Sequence, residues 1–130
     1  MRRICVITGT RAEYGLLSSL MRLIDESVDC QLQIIATNMH LLPEYGDTYQ
    51  EIESDGFTID IKVPMKKNSD DAYGVIDSMA VEMHGMNEAF RRLLPDMVVI
   101  LGDRYEMLVA ATVATVSYTH LRAHETLSDL

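Results

Sequence analysis

Two stretches of the chain, "ICVITG" (4–9) and "DMVVILGD" (96–103), are apolar almost without interruption before they meet glycine. A strand with one face in water alternates apolar and polar side chains, whereas a run without alternation belongs to a strand covered on both faces. Such strands sit in parallel sheets. Parallel neighbours cannot be joined by a hairpin, so each pair needs a crossover, normally a helix. The residues between the two runs supply those crossovers. From Glu13 to about Glu26 the apolar residues Leu16, Leu17, Leu20, Met21, Leu23 and Ile24 recur at helical spacing. "CQLQIIAT" (30–37) alternates and then turns apolar, which reads as a second strand, and "NMHLLPEYG" (38–46) is a loop punctuated by Pro43 and Gly46.

A short helix follows to about Ser54, stopped by Asp55 and Gly56, and "FTIDIKVP" (57–64) alternates strictly as a third, more exposed strand. A polar linker leads to a long helix from about Asp70 to Leu94, with the stripe Val75, Ile76, Met79, Met83, Met86 and Phe90, and Pro95 just past its end. The fourth strand, 96–103, precedes an Ala- and Val-rich helix over 104–116. The order β-α-β-α-β-α-β-α predicts an α/β fold, a Rossmann-like parallel sheet with helices on both faces. After Val116 the expected next strand is replaced by "SYTHLRAHETLSDL" (117–130), polar and aperiodic. Residues 1–116 are therefore read as the domain. Residues 117–130 are read as a non-homologous tail resembling the adapter-derived endings of translated assemblies. His120 and His124 lie four apart in it, but no third ligand accompanies them and no metal site is expected.

With 20 acidic against 11 basic residues the net charge is −9, which excludes a broad nucleic-acid interface but leaves room for a local anion pocket. No apolar run approaches the roughly 20 residues that span a bilayer. The stretch behind Arg2 and Arg3 is too short for a secretory signal, so a cytoplasmic protein without membrane contact is expected. Cys5 and Cys30 have no metal-ligand spacing and are expected as small buried thiols, with no disulfide and no zinc.

In an open parallel sheet, ligands bind beyond the carboxyl ends of the strands at a switch point. That rule selects "GTRAEYG", "TNMHLLPEYG" and "GDRYE". If strands one and four are neighbours, Arg11, Asp103 and Arg104 line one crevice. "TGTRAEYG" has neither the dinucleotide G-x-G-x-x-G spacing nor a P-loop ending. It still offers a tight turn at Gly9, a helix N-terminus and a guanidinium fork for an anion. Arg11 alternatively is solvated or pairs with Glu13, and the residues alone leave both readings open. Asp103 is placed as an acid, base or acceptor, or as an N-cap of the next helix. Arg104 either holds an anion or screens Asp103. His40 lies in a loop at the same sheet edge. His84, between Met83 and Met86, is read as packed or exposed on its helix.

Taken in order and register, "ITGTRAEYGLL", "TNMHLLPEYGDTYQEIESDGF" and "RLLPDMVVILGDRYEMLVAA" resemble the N-terminal part of UDP-N-acetylglucosamine 2-epimerases. They are most similar to the hydrolysing type of sialic acid biosynthesis. Ala12 and Tyr14 fit that subtype, since non-hydrolysing relatives read G-T-R-P-E. The resemblance implies the incomplete N-terminal domain of a GT-B-like two-domain fold, with the nucleotide sugar in the interdomain cleft and a homo-oligomeric full-length parent. It implies loss of the sugar C2 proton with expulsion of UDP, then addition of water to a 2-acetamidoglucal, giving N-acetylmannosamine without a cofactor. By matching position, Arg11 and Arg104 contact the UDP phosphates and Gly15 lies near them. Asp103 acts at the sugar, and His40 approaches the substrate. The family's following strand and I-x-H-I-x-G-G-E segment have no counterpart in 117–130, so this polypeptide is expected to be inactive and marginally stable alone. The alternatives are a sister epimerase for a GDP-linked or modified amino sugar, and a non-catalytic α/β module binding phosphate-bearing ligands.

Overall fold

The computed structural model describes residues 1–65, 71–102 and 104–118. Strands β1 (Arg2–Thr8), β2 (Cys30–Thr37), β3 (Ile61–Val63) and β4 (Met97–Val99) form one parallel sheet in the order β3-β2-β1-β4. Helices α1 (Arg11–Glu26), α2 (Tyr49–Ser54), α3 (Ala72–Leu93) and α4 (Tyr105–Tyr118) supply the crossovers and the last element. Two short 3₁₀ turns, Asn38–Leu41 and Pro43–Tyr45, fill the loop expected after β2. The chain runs outward from β1 to β3 and then returns to the other side of β1, so the switch point lies between β1 and β4.

Alternation along β1 and β2 builds two cores. Val6 and Ile34 face α1 and α2, where they pack with Tyr14, Leu17, Met21, Ile24, Ile52 and Phe57. Cys5, Ile7 and Ile35 face α3 and α4 and pack with Val63, Met86, Phe90, Met107 and Val113. Both faces of the sheet are thus covered, which is why "ICVITG" carries no alternation. Cys5 sits in the second core, where burial pushes its thiol up to about 12; Cys30 is half-buried, and both are free.

The outer strands are shorter than the sequence predicts. Of 57–64 only Ile61–Val63 is laddered, because Phe57 turns into the first core. There its ring stands edge-on to Tyr14 at 6.4 Å, with the Arg22 guanidinium 4.3 Å above it. Asp60 starts the pairing with its side chain: its N–H donates to Ile34 O at 2.9 Å and its Oδ2 accepts from Ile34 N–H at 2.8 Å. Asp96 does the same on the other edge, donating to Arg3 O at 2.8 Å and accepting from Arg3 N–H at 2.8 Å. β4 is half-covered rather than wholly buried, since it forms the sheet's edge and Met97 is 44% exposed.

Helix phase also departs from the predicted stripes. In α1 the buried line is Tyr14, Leu17, Met21 and Ile24, while Leu16, Leu20 and Leu23 face outward. In α3 it is Gly74, Ser78, Glu82, Met86, Ala89 and Phe90; Ile76 and Met83 are exposed. Gly85 sets this rotation, because a Cβ there would lie 2.9 Å from Val63 Cγ1. The small residue lets α3 approach β3 closely, and its neighbour Glu82 follows it into the interior.

These two environments separate two glycines. Gly85→Leu should cost about 1–3 kcal/mol by overpacking against Val63. Gly15→Ala, on a helix position with nothing within 4 Å of the added Cβ, should instead gain roughly 0.5–1 kcal/mol from helix propensity. Urea unfolding of both variants reads this; equal shifts in the same direction would refute it.

Candidate functional site

The turn after β1 is closed by the first turn of α1. Thr10 is the N-cap: its Oγ1 accepts from Glu13 N–H at 3.2 Å, and Glu13 Oε1 accepts from Gly9 N–H at 2.9 Å and Thr10 N–H at 3.1 Å. This reciprocal capping box explains the glutamate at the strand exit. The loop after β4 presses on it. Gly102 adopts φ +100°, and a Cβ there would come within 2.9 Å of Glu13 Oε2. Burial raises the Glu13 pKa, as does the nearby Glu106 charge, while the two backbone donors and Arg104 pull it back.

The anion-facing reading of this turn is therefore narrower than the sequence predicts. Glu13 itself occupies the donors of Gly9 and Thr10, and among the described residues the first turn keeps only the N–H groups of Arg11 and Ala12 without an acceptor. Arg11 pairs with Glu51 of α2 at 3.0 Å, not with Glu13, and its side chain is 73% exposed. A pair that open contributes little to stability. Gly15 is exposed, with open space above it.

On the β4 side, Arg104 Nε donates to Glu106 Oε1 at 2.6 Å, with the arginine side chain 40% exposed and the glutamate fully buried. Gly9 accommodates this carboxylate, since a Cβ there would sit 3.1 Å from Glu106 Cγ. The two loops thus meet at the switch point and bring Arg11 and Arg104 to the same end of the sheet. Asp103, between Gly102 and Arg104, lies outside the described residues, as do His120 and His124.

His40 is fully buried. Its Nε2 lies 2.9 Å from Thr8 Oγ1 and its Nδ1 lies 2.8 Å from Thr48 Oγ1. The Thr8 hydroxyl also lies 3.4 Å from Thr10 O, so the ring is enclosed between two threonine hydroxyls, one at each nitrogen. Desolvation lowers the His40 pKa to about 4, which keeps the imidazole neutral at neutral pH. Tyr14 stands edge-on to the ring at 6.4 Å and donates its hydroxyl to Asp55. His84 is exposed on α3 beside an apolar groove between α3 and α4 that shares no residue with the crevice. Among the described residues no group of His, Cys, Asp and Glu could hold a metal ion, and no helix is long and apolar enough to cross a membrane.

Three buried carboxylates escape a reading by sequence position. Glu13 had a signal, the Thr10-x-x-Glu13 capping-box spacing. Glu82 and Glu106 had none, because a glutamate in an otherwise helical pattern reads as solvated. Both Glu82 oxygens and Glu106 Oε2 are buried without a hydrogen-bond partner among the described residues. Desolvation, then the Glu106 charge, pushes the Glu82 pKa up to about 8.

Glu82 and His40 act on stability with opposite signs. The folded Glu82 carboxyl holds its proton to about 8 against 4.5 for the free group, so its contribution is complete below 4.5 and lost as pH rises through 8. The folded His40 resists protonation to about 4 against 6.5, so its contribution is complete above 6.5 and lost as pH falls through 4. Glu82→Gln should therefore gain on the order of 2–4 kcal/mol over the parent between mildly acidic and alkaline pH. Urea midpoints at pH about 5 and about 9 measure it; the same difference at both would refute it.

The family model described as UDP-N-acetylglucosamine 2-epimerase matches residues 22–124. The chain is 47% identical over 120 residues to a GDP/UDP-N,N'-diacetylbacillosamine 2-epimerase (hydrolyzing) of Campylobacter jejuni, covering 92% of this chain and 31% of that protein. It is 37% identical over 128 residues to a UDP-N,N'-diacetylbacillosamine 2-epimerase (hydrolyzing) of Legionella pneumophila, covering 96% and 34%. It thus spans about a third of the length of these curated relatives. A UDP-GlcNAc 2-epimerase from Neisseria meningitidis, solved bound to UDP-GlcNAc, shares the fold with a TM-score of 0.71 at 15% identity, over 90% of this chain and 30% of that one. The chain belongs to the UDP-N-acetylglucosamine 2-epimerase family.

Proposed function

We propose that the chain is the N-terminal portion of a hydrolysing 2-epimerase that converts a nucleotide-linked 2-acetamido sugar into the free 2-epimer and the nucleoside diphosphate. The observation that carries this reading is the convergence of two arginine-bearing loops at the switch point of a chain 47% identical to a hydrolysing epimerase. Removing the C2 proton and expelling the diphosphate gives a 2-acetamidoglucal, to which water then adds. No electrons are gained or lost overall, so the steps call for no redox cofactor. The developing charge is on the departing diphosphate, and fixed cationic donors stabilise it.

In this reading Arg11, the α1 N-terminus near Gly15, and Arg104 face the diphosphate, and Asp103 acts at the sugar as acid, base or orienting carboxylate. His40 serves as a positioning residue: a buried, neutral ring with both nitrogens engaged holds the Asn38–Leu41 turn against β1. For the sugar, UDP-N-acetylglucosamine of the sialic acid route is one substrate. The 47% and 37% identities to diacetylbacillosamine epimerases favour a 2,4-diacetamido sugar instead, with UDP or GDP as the carrier. One part of a two-domain site cannot hold reactants in register, so the 130-residue chain should be inactive alone.

A chimera tests this. Residues 1–118 would replace the matching part of the Campylobacter jejuni relative, with nucleoside diphosphate release measured from UDP-N-acetylglucosamine and UDP-N,N'-diacetylbacillosamine. The isolated chain should release none, the chimera should turn over, and Asp103→Asn should lower its kcat by about 10²–10⁴-fold. A folded chimera without turnover on either sugar refutes the function; turnover by the isolated chain refutes its inactivity.

We also propose a cytoplasmic, homo-oligomeric parent. Leu16, Leu20 and Leu23, exposed at 74%, 41% and 67%, recur along the outer face of α1 and support self-association. Leu20→Glu should shift the chimera to a smaller species by sedimentation; an unchanged mass would remove this support.

A further inference from the structure

Glu106 is the most deeply placed charge near the crevice, and the proposed reaction does not use it directly. Its side chain is fully buried, Oε1 takes Arg104 Nε–H at 2.6 Å, and Oε2 has no partner among the described residues. Glu13 and Glu82 feel its charge. Burying a carboxylate with one oxygen unpartnered and two further acidic groups close by costs stability. Gly9 leaves room for the carboxylate, since a Cβ there would lie 3.1 Å from Glu106 Cγ and 3.4 Å from Oε1.

A charge-assisted bond at Nε restrains the guanidinium and sets the direction of its other two nitrogens. Among the described residues, the Nη1 and Nη2 groups of Arg104 have no acceptor, and 40% of its side chain is exposed. Those two nitrogens form the planar fork that matches two oxygens of a phosphate group. We propose that Glu106 is a positioning residue, gripping Arg104 at Nε so that its terminal nitrogens are presented to a diphosphate at the β1–β4 switch point. The inference rests on the epimerase reading for the identity of the diphosphate, and goes beyond it in assigning how the arginine is aimed.

The alternative is that Glu106 merely competes with an anion for Arg104. The two predict opposite signs for neutralisation. In the 130-residue chain, titrated with inorganic pyrophosphate and followed by calorimetry, Glu106→Gln should weaken binding about tenfold if the carboxylate positions the arginine. If it competes, binding tightens and the proposal fails. Arg104→Ala should remove most of the binding, and adding Glu106→Gln to it should change nothing more. An equal weakening by Glu106→Gln in both backgrounds would mark a general structural effect and overturn the proposal. Arg104→Lys, an exposed change that keeps the charge and loses the fork, should bind as weakly as Glu106→Gln; wild-type binding by it also overturns the proposal. Failure of the parent chain to bind pyrophosphate saturably overturns it as well, without touching chimera turnover. Loss of that turnover with the Arg104–Glu106 coupling intact would count against the epimerase reading alone.

Discussion

The carboxylate of Glu13 is the interaction on which the arrangement at the sheet's switch point depends. It joins the end of β1 to the start of α1 through the N–H groups of Gly9 and Thr10, and its second oxygen meets the loop after β4 at Gly102. The loops of two different strands are thereby packed on one side chain. With Gly9 and Thr10 already satisfied by an internal anion, an external one must be met by the remaining donors of the turn and by side chains.

Much of this fold was readable from residues. The unbroken apolar run of β1 marks a parallel strand covered on both faces, whereas the similar run of β4 lies at a half-covered edge, and the adjacency of β1 and β4 follows from the usual winding. What escaped was set by tertiary contact. The inward face of α3 was misassigned because Met83 looks like core and Glu82 like surface, whereas the close approach at Gly85 fixes the phase. Strand β3 is shorter than the 57–64 pattern because Phe57 reads as strand while its ring belongs to the core under α1. At the site, the switch-point rule expects Arg11 and Arg104 beside one crevice, and the β1–β4 adjacency puts their two loops at the same end of the sheet. Their partners, Glu51 and Glu106, were invisible because both pairings depend on where helices come to rest.

His40 shows how position and chemistry can diverge. Its loop falls at the sheet edge where ligands bind, yet the ring is turned inward between two threonines and kept neutral. Its ring contacts join the end of β1 to the segment that leads into α2, whose Glu51 in turn meets Arg11. The crevice and the second crossover are in this way parts of one connected set of polar contacts.

The paired aspartates on the outer strands have a wider consequence. Asp60 and Asp96 each exchange two hydrogen bonds with a residue of the neighbouring inner strand, one of them through the carboxylate. A slip of one residue would break both bonds at once and turn an apolar row to the wrong face. Each outer strand is thereby indexed to its neighbour at its first residue, like the zero mark on a ruler. Because all four strands run the same way, a register fixed where an outer strand begins is carried to its other end, so each outer strand's exit loop holds a set height against its inner neighbour. Geometry at the carboxyl end of the sheet is thus set where its outer strands begin, by two acidic side chains that are part of the ladder itself.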